Sequence, residues 1–182
     1  MTDLKSSAAP EWELRLREIL PLFGHRNWIV VADAAYPAQS KPGIETILSG
    51  EKGIRVVQKV MDAIKACQHI RHKIYTDSEL AFVADQDAPG IVEYRQQLEG
   101  VLNESRVERM PHERIIAKLD QAAHVFRILV IKTELTIPYT SIFFELDCGY
   151  WNDEAETRLR ETIAAADERQ GATALLESTQ EK

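Results

Sequence analysis

The feature that most constrains the fold is an unbroken apolar run, Trp28 to Ala32, with the sequence WIVVA. Successive side chains of a strand point to opposite faces of a sheet, so a strand without polar positions needs cover on both faces. This is typical of a central strand in a sheet that carries helices on each side. A Gly24-His25 pair precedes the run and Asp33 ends it, so ionisable groups lie at both rims of a predicted core.

The remainder of the chain alternates between short apolar segments and longer segments with helical periodicity. The predicted strands are IETILSG (44–50), VFRILVIKTE (125–134) and YTSIFFELDCGY (139–150). The segment HIRHKIYTDSELAFVADQD (69–87) is predicted to hold one or two further strands, of which LAFVAD (80–85) is the clearer. The predicted helices are PEWELRLREIL (10–20), GIRVVQKVMDAIKAC (53–67), PGIVEYRQQLEGVL (89–102) and PHERIIAKLDQAAH (111–124). Strands that alternate with helices predict an α/β fold, in which a single domain has a largely parallel sheet flanked by helices.

Composition divides the chain into three parts. We expect residues 1–9 to be a flexible lead-in, residues 10–151 to form the α/β domain, and residues 152–182 to form an acidic helical tail. The tail carries a thin apolar stripe that includes Leu159 and Ile163. Two interpretations stay open: the stripe packs against the domain or a neighbouring subunit, or the tail is a solvated helix that frays near its end.

Charge and hydropathy narrow the classes of partner. The formal net charge of −7 argues against nucleic acid or an anionic membrane as the main partner, but it is compatible with a neutral sugar. No apolar segment approaches the roughly 20 residues of a membrane helix, and the start of the sequence lacks the pattern of a signal peptide. Cys67 and Cys148 lie far apart, as in a protein with reduced thiols. We therefore expect a cytoplasmic protein.

Two interpretations are open for the groups that flank the apolar run. His25 is suited to general acid/base catalysis, because imidazole titrates near neutral pH. Alternatively, His25 is a turn residue with local hydrogen bonds, and Asp33 caps the end of the strand.

The sequence offers no motif for a cofactor or a metal. His69 and His72 have no carboxylate or cysteine at ligand spacing, and a strand would turn them to opposite faces. There is no G-x-G-x-x-G, no Walker motif and no G-x-S-x-G. We therefore expect no cofactor and no metal, and the sequence disfavours nucleotide-dependent enzymes and serine hydrolases.

The segment FGHRNWIVVADAAYPAQS, residues 23–40, resembles the signature of the D-ribose pyranase / L-fucose mutarotase family. In that family a Gly-His turn leads through an apolar strand into Asp-Ala, followed by a hydrophobic residue and a proline. The PAQS at the end of the segment is closer to the fucose mutarotase branch. The segments LAFVADQDAPGIVEYRQQL, VERMPHER, VIKTE and IPYTSIFF are similar to later family segments in the same order, so the resemblance covers roughly residues 15–150.

The resemblance implies roles for individual residues. His25 matches the family's catalytic histidine, a proton donor and acceptor, and Asp33 matches the carboxylate that holds sugar hydroxyls. Arg109 stands where the fucose branch has a sugar-binding arginine. His112 is an alternative to Arg109, because the ribose branch has a histidine in this region and the gap can be placed in two ways. Tyr139 matches the tyrosine of the family's Tyr-x-Asn motif.

The sequence also departs from the family pattern. Ser141 stands in place of the asparagine of Tyr-x-Asn, so a short hydroxyl replaces a carboxamide at a position expected to bind sugar. Lys132-Thr133 replaces the usual Thr-Gly, and one extra residue precedes Tyr139. The segment HIRHKIYTDSE, residues 69–79, and the acidic tail look like additions.

The resemblance implies an isomerase that interconverts anomers or ring forms of a free monosaccharide, fucose- or ribose-like, with His25 as the acid/base group and no cofactor. Family members assemble into rings, commonly decamers, whose sites are completed by adjacent subunits. We therefore expect a homo-oligomer in which Tyr139 reaches a neighbour's pocket. One alternative is a non-catalytic sugar-binding or regulatory protein that keeps the pocket, which Ser141 slightly favours. A weaker alternative is a structural ring protein whose tail recruits a partner.

Overall fold

Strand β1 (Trp28–Ala32) is buried at each of its five residues, as its apolar sequence predicts. The computed structural model describes residues 9–103 and 105–180, so most of the predicted lead-in lies outside the described residues. The other strands are β2 (Ile44–Leu48), β3 (Ile70–Asp77), β4 (Val107–Met110), β5 (Ile128–Lys132) and β6 (Ile142–Cys148). The helices are α1 (Glu11–Ile19), α2 (Gly53–Lys65), α3 (Ile91–Leu102), α4 (His112–Ala122) and α5 (Asp153–Gln180).

The described strands form one six-stranded sheet in the order β2-β5-β1-β6-β3-β4. Strand β1 pairs in parallel with β5 and antiparallel with β6. Strand β2 pairs in parallel with β5, and β3 pairs in parallel with β4. A largely parallel sheet flanked by helices confirms the predicted fold class, and β6 is its antiparallel member.

The side chains of β1 alternate between two hydrophobic cores, one on each face of the sheet. Ile29 and Val31 lie in the core that also contains residues of α1, α2 and α3. Trp28, Val30 and Ala32 lie in the second core, which contains residues of α4. Burial of each large apolar side chain contributes about 1.5–3 kcal/mol. This double cover explains why the strand has no polar position.

The prediction of a strand at LAFVAD is wrong. Residues Ser78–Ala81 form a 3₁₀ helix, and the strand is the preceding Ile70–Asp77. The apolar composition of LAFVAD misleads because only part of it is buried, and Phe82 is 84% exposed. Segment 69–79 is likewise not a mere addition, since most of it is a strand of the sheet between β6 and β4.

The chain divides into two compact units after Asp147. In the second unit, helix α5 begins at Asp153 with three acidic residues in its first turn, where they favour the helix dipole. Leu159 and Ile163, the predicted apolar stripe, are 41% and 43% exposed. Arg160 forms an ion pair with Glu156 one turn earlier. Among the described residues, no helix combines the length and apolar character needed to cross a membrane.

Candidate functional site

Several polar side chains meet at one edge of the sheet, where β1 and β3 end and β6 begins. They line a cavity of about 660 Å³ whose walls include Asp33, Tyr36, His112 and Tyr139. Ligand sites of open α/β sheets commonly lie at the carboxyl ends of the strands, because the following loops converge there. Of the residues predicted from the sequence, Asp33, His112 and Tyr139 therefore share this cavity, which we call the Asp33 pocket.

The carboxylate of Asp33 is held in place from two sides. The Ser141 hydroxyl donates to Asp33 Oδ2 at 3.0 Å and accepts from the backbone N–H of Asp33 at 3.3 Å. The backbone N–H of Ala35 donates to Asp33 Oδ1 at 2.8 Å. Ser141 itself is only 2% exposed, so it lies behind Asp33 rather than on the surface of the pocket.

Two acidic residues fix His112 at the start of helix α4. The Glu79 carboxylate accepts the backbone N–H of His112, with 3.1 Å to each oxygen, and so caps a helix whose N-cap residue is proline. Asp77 Oδ1 lies 3.2 Å from His112 Nδ1. The His112 side chain is 33% exposed, whereas that of Asp77 is 1% exposed. The imidazole therefore faces the pocket with a buried carboxylate behind it.

Tyr139 packs against this imidazole with a strained backbone. Its φ of 58° lies in the left-handed region, which is uncommon for a bulky residue. The ring meets that of His112 edge-on, with centroids 5.7 Å apart and planes at 84°. Tyr139 remains 39% exposed. Such strain persists where the surroundings over-determine the conformation, and it clusters at ligand sites.

Tyr36 is a buried residue that lines the Asp33 pocket. Tyr36 is 4% exposed, and burial raises the pKa of its hydroxyl to about 12. The Gln39 amide donates to this hydroxyl at 3.1 Å. The Tyr36 ring therefore stays neutral at physiological pH and offers an apolar wall with one polar edge.

His25 lies at the opposite edge of the sheet. Its Nδ1 is 2.8 Å from Asp147 Oδ1 near the end of β6, and Arg26 donates to its Nε2 at 3.1 Å. Arg71, at the start of β3, also donates to Asp147. The five residues of β1 alone separate the two edges by roughly 16 Å. Within one chain, His25 does not line the pocket of Asp33.

Arg109 lines a different cavity. It lies on β4 beside a hollow of about 470 Å³ whose walls also include Arg95, Leu98 and Val107. Arg109 and His112 were the two alternatives for one sugar contact. The structure brings His112 to the Asp33 pocket, whereas Arg109 lines the other cavity. Within the described part of the chain, no group of three or more His, Cys, Asp or Glu side chains is arranged to hold a metal ion.

Sequence reasoning missed Asp77, Glu79 and Asp147. Asp77 ends β3 and Glu79 follows it, whereas the sequence places the clearer strand of this region at LAFVAD, so the position of both carboxylates at the carboxyl edge of the sheet was not predicted. The available signal was the acidic pair itself, because carboxylates directly after a buried strand commonly reach a ligand site. Asp147 gave no comparable signal in the sequence.

The buried carboxylate of Asp77 makes stability depend on pH. Burial raises its pKa from 3.8 to about 6. The charge of His112 opposes this shift, whereas Glu79 and Asp33 add to it. Because the folded chain then binds more protons than the unfolded chain between pH of about 4 and 6, stability falls as the pH rises through that window.

We expect the variant Asp77→Asn to keep its stability as the pH rises from about 4 to 6, because an amide does not titrate. The free energy of unfolding of the variant, relative to the unsubstituted protein, should rise by about 2–3 kcal/mol between pH of about 4 and 7. Urea denaturation at a series of pH values measures it. A difference that stays constant with pH would contradict the prediction.

The chain is similar to known proteins of one family, both in its sequence profile and in its fold. The sequence profile of the RbsD / FucU transport protein family matches residues 13–148. RbsD of Bacillus subtilis, solved in complex with D-ribose, is 20% identical, with 73% of this chain and 91% of that chain covered and a TM-score of 0.52. FucU of Bifidobacterium longum is 14% identical, with 74% and 94% covered and a TM-score of 0.51. No curated protein sequence is significantly similar to the chain. Since the matched profile spans most of its length, the chain belongs to the RbsD / FucU family.

Proposed function

We propose that the protein is a sugar isomerase of the mutarotase or pyranase type, which interconverts anomers or ring forms of a free monosaccharide. The observation that carries the proposal is that an anchored carboxylate, Asp33, and an imidazole, His112, face one cavity. Membership of a family that includes an RbsD solved with D-ribose supports a pentose or hexose as the ligand. The closeness of PAQS to the fucose branch supports a fucose-like sugar.

Ring opening of a reducing sugar needs two proton transfers. One group takes the proton of the anomeric hydroxyl while another gives a proton to the ring oxygen, and reclosure reverses both transfers. The C1–O bond of the ring breaks as the carbonyl forms, so atoms and charge balance without a cofactor. Water already performs this reaction slowly, so orientation plus general acid/base catalysis suffices.

The chain's own residues supply the parts of such a site. Asp33, held by Ser141, would accept hydrogen bonds from sugar hydroxyls. The ring of Tyr36 or Tyr139 would pack on the apolar face of the sugar. His112 would act at one of the two reacting oxygens. Arg109 remains a candidate sugar contact if the ligand or a neighbouring chain extends toward its cavity.

We propose that His25 enters the site from an adjacent subunit of a homo-oligomer, a ring such as the decamers of the family. In support, His25 and Asp33 lie at opposite edges of one chain, so a site with both requires two chains. His25 Nε2 accepts from Arg26, which leaves the ring proton on Nδ1 toward Asp147. Nε2 then carries the basic lone pair, and His25 can act as a base on the anomeric hydroxyl when this lone pair accepts from the sugar instead of from Arg26.

Exchange NMR on a panel of pentoses and hexoses, including D-ribose and L-fucose, tests the function. We expect saturation transfer between anomers or ring forms of at least one sugar to exceed the uncatalysed rate in proportion to protein concentration. Asp33→Asn is the matched inactive variant. It removes the carboxylate charge with little change in shape, and we expect it to leave sugar exchange at the uncatalysed rate. An unaccelerated panel would overturn the proposal.

A second candidate is a sugar-binding or regulatory protein that keeps the pocket without turnover. Ser141 favours it, because the serine supports Asp33 from behind and offers no amide to a sugar. Binding of a sugar by calorimetry with no gain in exchange rate would select this candidate over the isomerase.

Ser141→Ala should weaken the isomerase by about 10- to 100-fold in kcat/KM. The variant loses the hydroxyl that donates to Asp33 Oδ2, and a hydrogen bond to a charged group contributes about 1.5–3 kcal/mol. Exchange NMR at several sugar concentrations measures the change. Ser105→Ala, at the neighbouring cavity, is the control and should keep the original rate. Equal rates for all three proteins would show that the anchor is dispensable.

A further inference from the structure

Asp77 is a buried carboxylate with only half of its hydrogen-bonding capacity used. Its side chain is 1% exposed, and Oδ1 lies 3.2 Å from His112 Nδ1. Oδ2 has no hydrogen-bond partner among the described residues. Burying an unpartnered carboxylate oxygen destabilises a fold, so a residue of this kind calls for an explanation other than packing.

The contact with Asp77 determines which nitrogen of His112 carries a proton. An ionised carboxylate can only accept hydrogen bonds, so the contact forms only when Nδ1 carries the hydrogen. Nδ1 is then occupied, and Nε2 is the nitrogen left for a ligand in the Asp33 pocket. A carboxylate behind an imidazole also stabilises the imidazolium that forms when Nε2 takes up a proton, as in serine-protease triads.

The imidazole is held by three separate segments of the chain. Asp77 at the end of β3 binds Nδ1, and Glu79 in the following 3₁₀ helix binds the backbone N–H of His112. Tyr139, from the loop before β6, contacts the ring edge-on. Orientation by such surroundings is what a proton-transfer group requires, since proton transfer demands hydrogen-bond distance to the reacting atom.

We propose that Asp77 is a positioning residue that holds His112 in its Nδ1-protonated form, with Nε2 directed to the ring oxygen of a bound sugar. This inference rests on the proposed isomerase function. For ring opening, the neutral His112 first takes a proton from solvent on Nε2; as the C1–O bond breaks, the ring oxygen takes this proton and His112 returns to its Nδ1-protonated form. At the same time, His25 of an adjacent subunit takes the anomeric hydroxyl proton. Reclosure returns both protons, and Asp77 remains ionised throughout.

The protonation of His112 can be observed without any sugar. Long-range ¹H–¹⁵N correlation NMR distinguishes a neutral imidazole protonated at Nδ1 from one protonated at Nε2. For the unsubstituted protein we expect His112 in the Nδ1-protonated form. Asp77→Asn is nearly isosteric, and its amide can donate to Nδ1, so we expect a shift toward the Nε2-protonated form. A neutral His112 protonated at Nε2 in the unsubstituted protein would overturn the proposal.

The kinetics of anomer exchange show whether Asp77 positions His112 or contributes to sugar binding. Because Asp77 is buried behind His112, Asp77→Asn should lower kcat for anomer exchange by at least about 10-fold and leave KM within about threefold. The double variant Asp77→Asn, His112→Gln should be no slower than His112→Gln alone, since the two residues act as a unit. Asp62→Asn, the same change at an exposed position of α2, is the control and should keep the original rate.

The outcomes distinguish the inference from the function on which it rests. The expected NMR signature together with loss of kcat supports both. Sugar exchange that survives Asp77→Asn unchanged overturns the positioning role and leaves the isomerase intact. Absence of exchange with every sugar in the unsubstituted protein overturns the isomerase, and with it the catalytic use of His112, whatever the NMR signature.

Discussion

His25→Ala is expected to slow anomer exchange by about 10²–10⁴-fold, the contribution of one positioned acid/base group. The imidazole is 55% exposed on its own chain and bonded to Asp147, so its removal leaves both hydrophobic cores untouched. Asp147 keeps its ion pair with Arg71 at 2.9 Å. We therefore expect loss of rate without loss of fold, measured by saturation-transfer NMR alongside circular dichroism and sedimentation.

The matched control is His124→Ala, because His124 is an exposed histidine after α4 that does not line the Asp33 pocket. It should exchange sugars at the original rate. An unchanged rate in His25→Ala itself would end the catalytic assignment of this residue. A variant that assembles only in part would be compared with the unsubstituted protein at equal oligomer content.

Mixing two inactive variants tests whether His25 acts in a neighbouring chain. Subunits that carry His25→Ala are refolded together with an equal amount of subunits that carry Asp33→Asn. Some interfaces of the mixed oligomer then bring a native His25 and a native Asp33 together. For a ring with random order, about a quarter of the sites regain both groups. Recovered exchange supports the shared site, whereas a mixture as inactive as its components contradicts it.

The largest expected effect on stability is that of Phe143→Ala. Phe143 is fully buried, and it lies opposite Val30 in the antiparallel pair of β1 and β6. It belongs to the core beneath α4, where Trp28 and Tyr75 stack with centroids 5.5 Å apart. Replacement of a buried phenylalanine by alanine removes apolar contact and leaves a cavity, at a cost of about 3–5 kcal/mol.

Urea denaturation at a fixed chain concentration measures this change, because assembly makes apparent stability depend on concentration. Leu22→Ala is the control, since Leu22 is 79% exposed and its replacement should change the free energy of unfolding by less than about 0.5 kcal/mol. A loss below about 1 kcal/mol for Phe143→Ala would contradict the tight packing described for this core.

The elements with a clear periodic pattern could be predicted from the sequence. Strand β1 and helix α2 follow directly from an unbroken apolar run and from apolar residues at helical spacing. For β3, the sequence predicts one or two strands within residues 69–87 but places the clearer one too late, because Arg71 and Lys73 interrupt the first half of β3 and only its second half is continuously buried. Packing against β6 and β4 overrides the polar composition, and no local pattern encodes those neighbours.

The same reason limits prediction of the site. Asp33 and Tyr139 were identified from short motifs, and the structure brings both to one pocket. The choice between Arg109 and His112 could not be made from the sequence, since the two residues lie on different elements that diverge in space. Asp77 was missed because the clearer strand of residues 69–87 was predicted at LAFVAD, after the strand that Asp77 ends. The separation of His25 from Asp33 was not evident either, because the extended strand between them spans the whole sheet.

The alternation of β1 between two cores also fixes the direction in which its last residues face. Trp28, Val30 and Ala32 share one side, so the parity of the strand determines which side Asp33 occupies as the chain leaves the sheet. Insertion or deletion of a single residue would exchange the contents of the two cores and turn the carboxylate away from Ser141. Length variation among relatives should therefore be confined to loops, with the interval from Trp28 to Asp33 held constant.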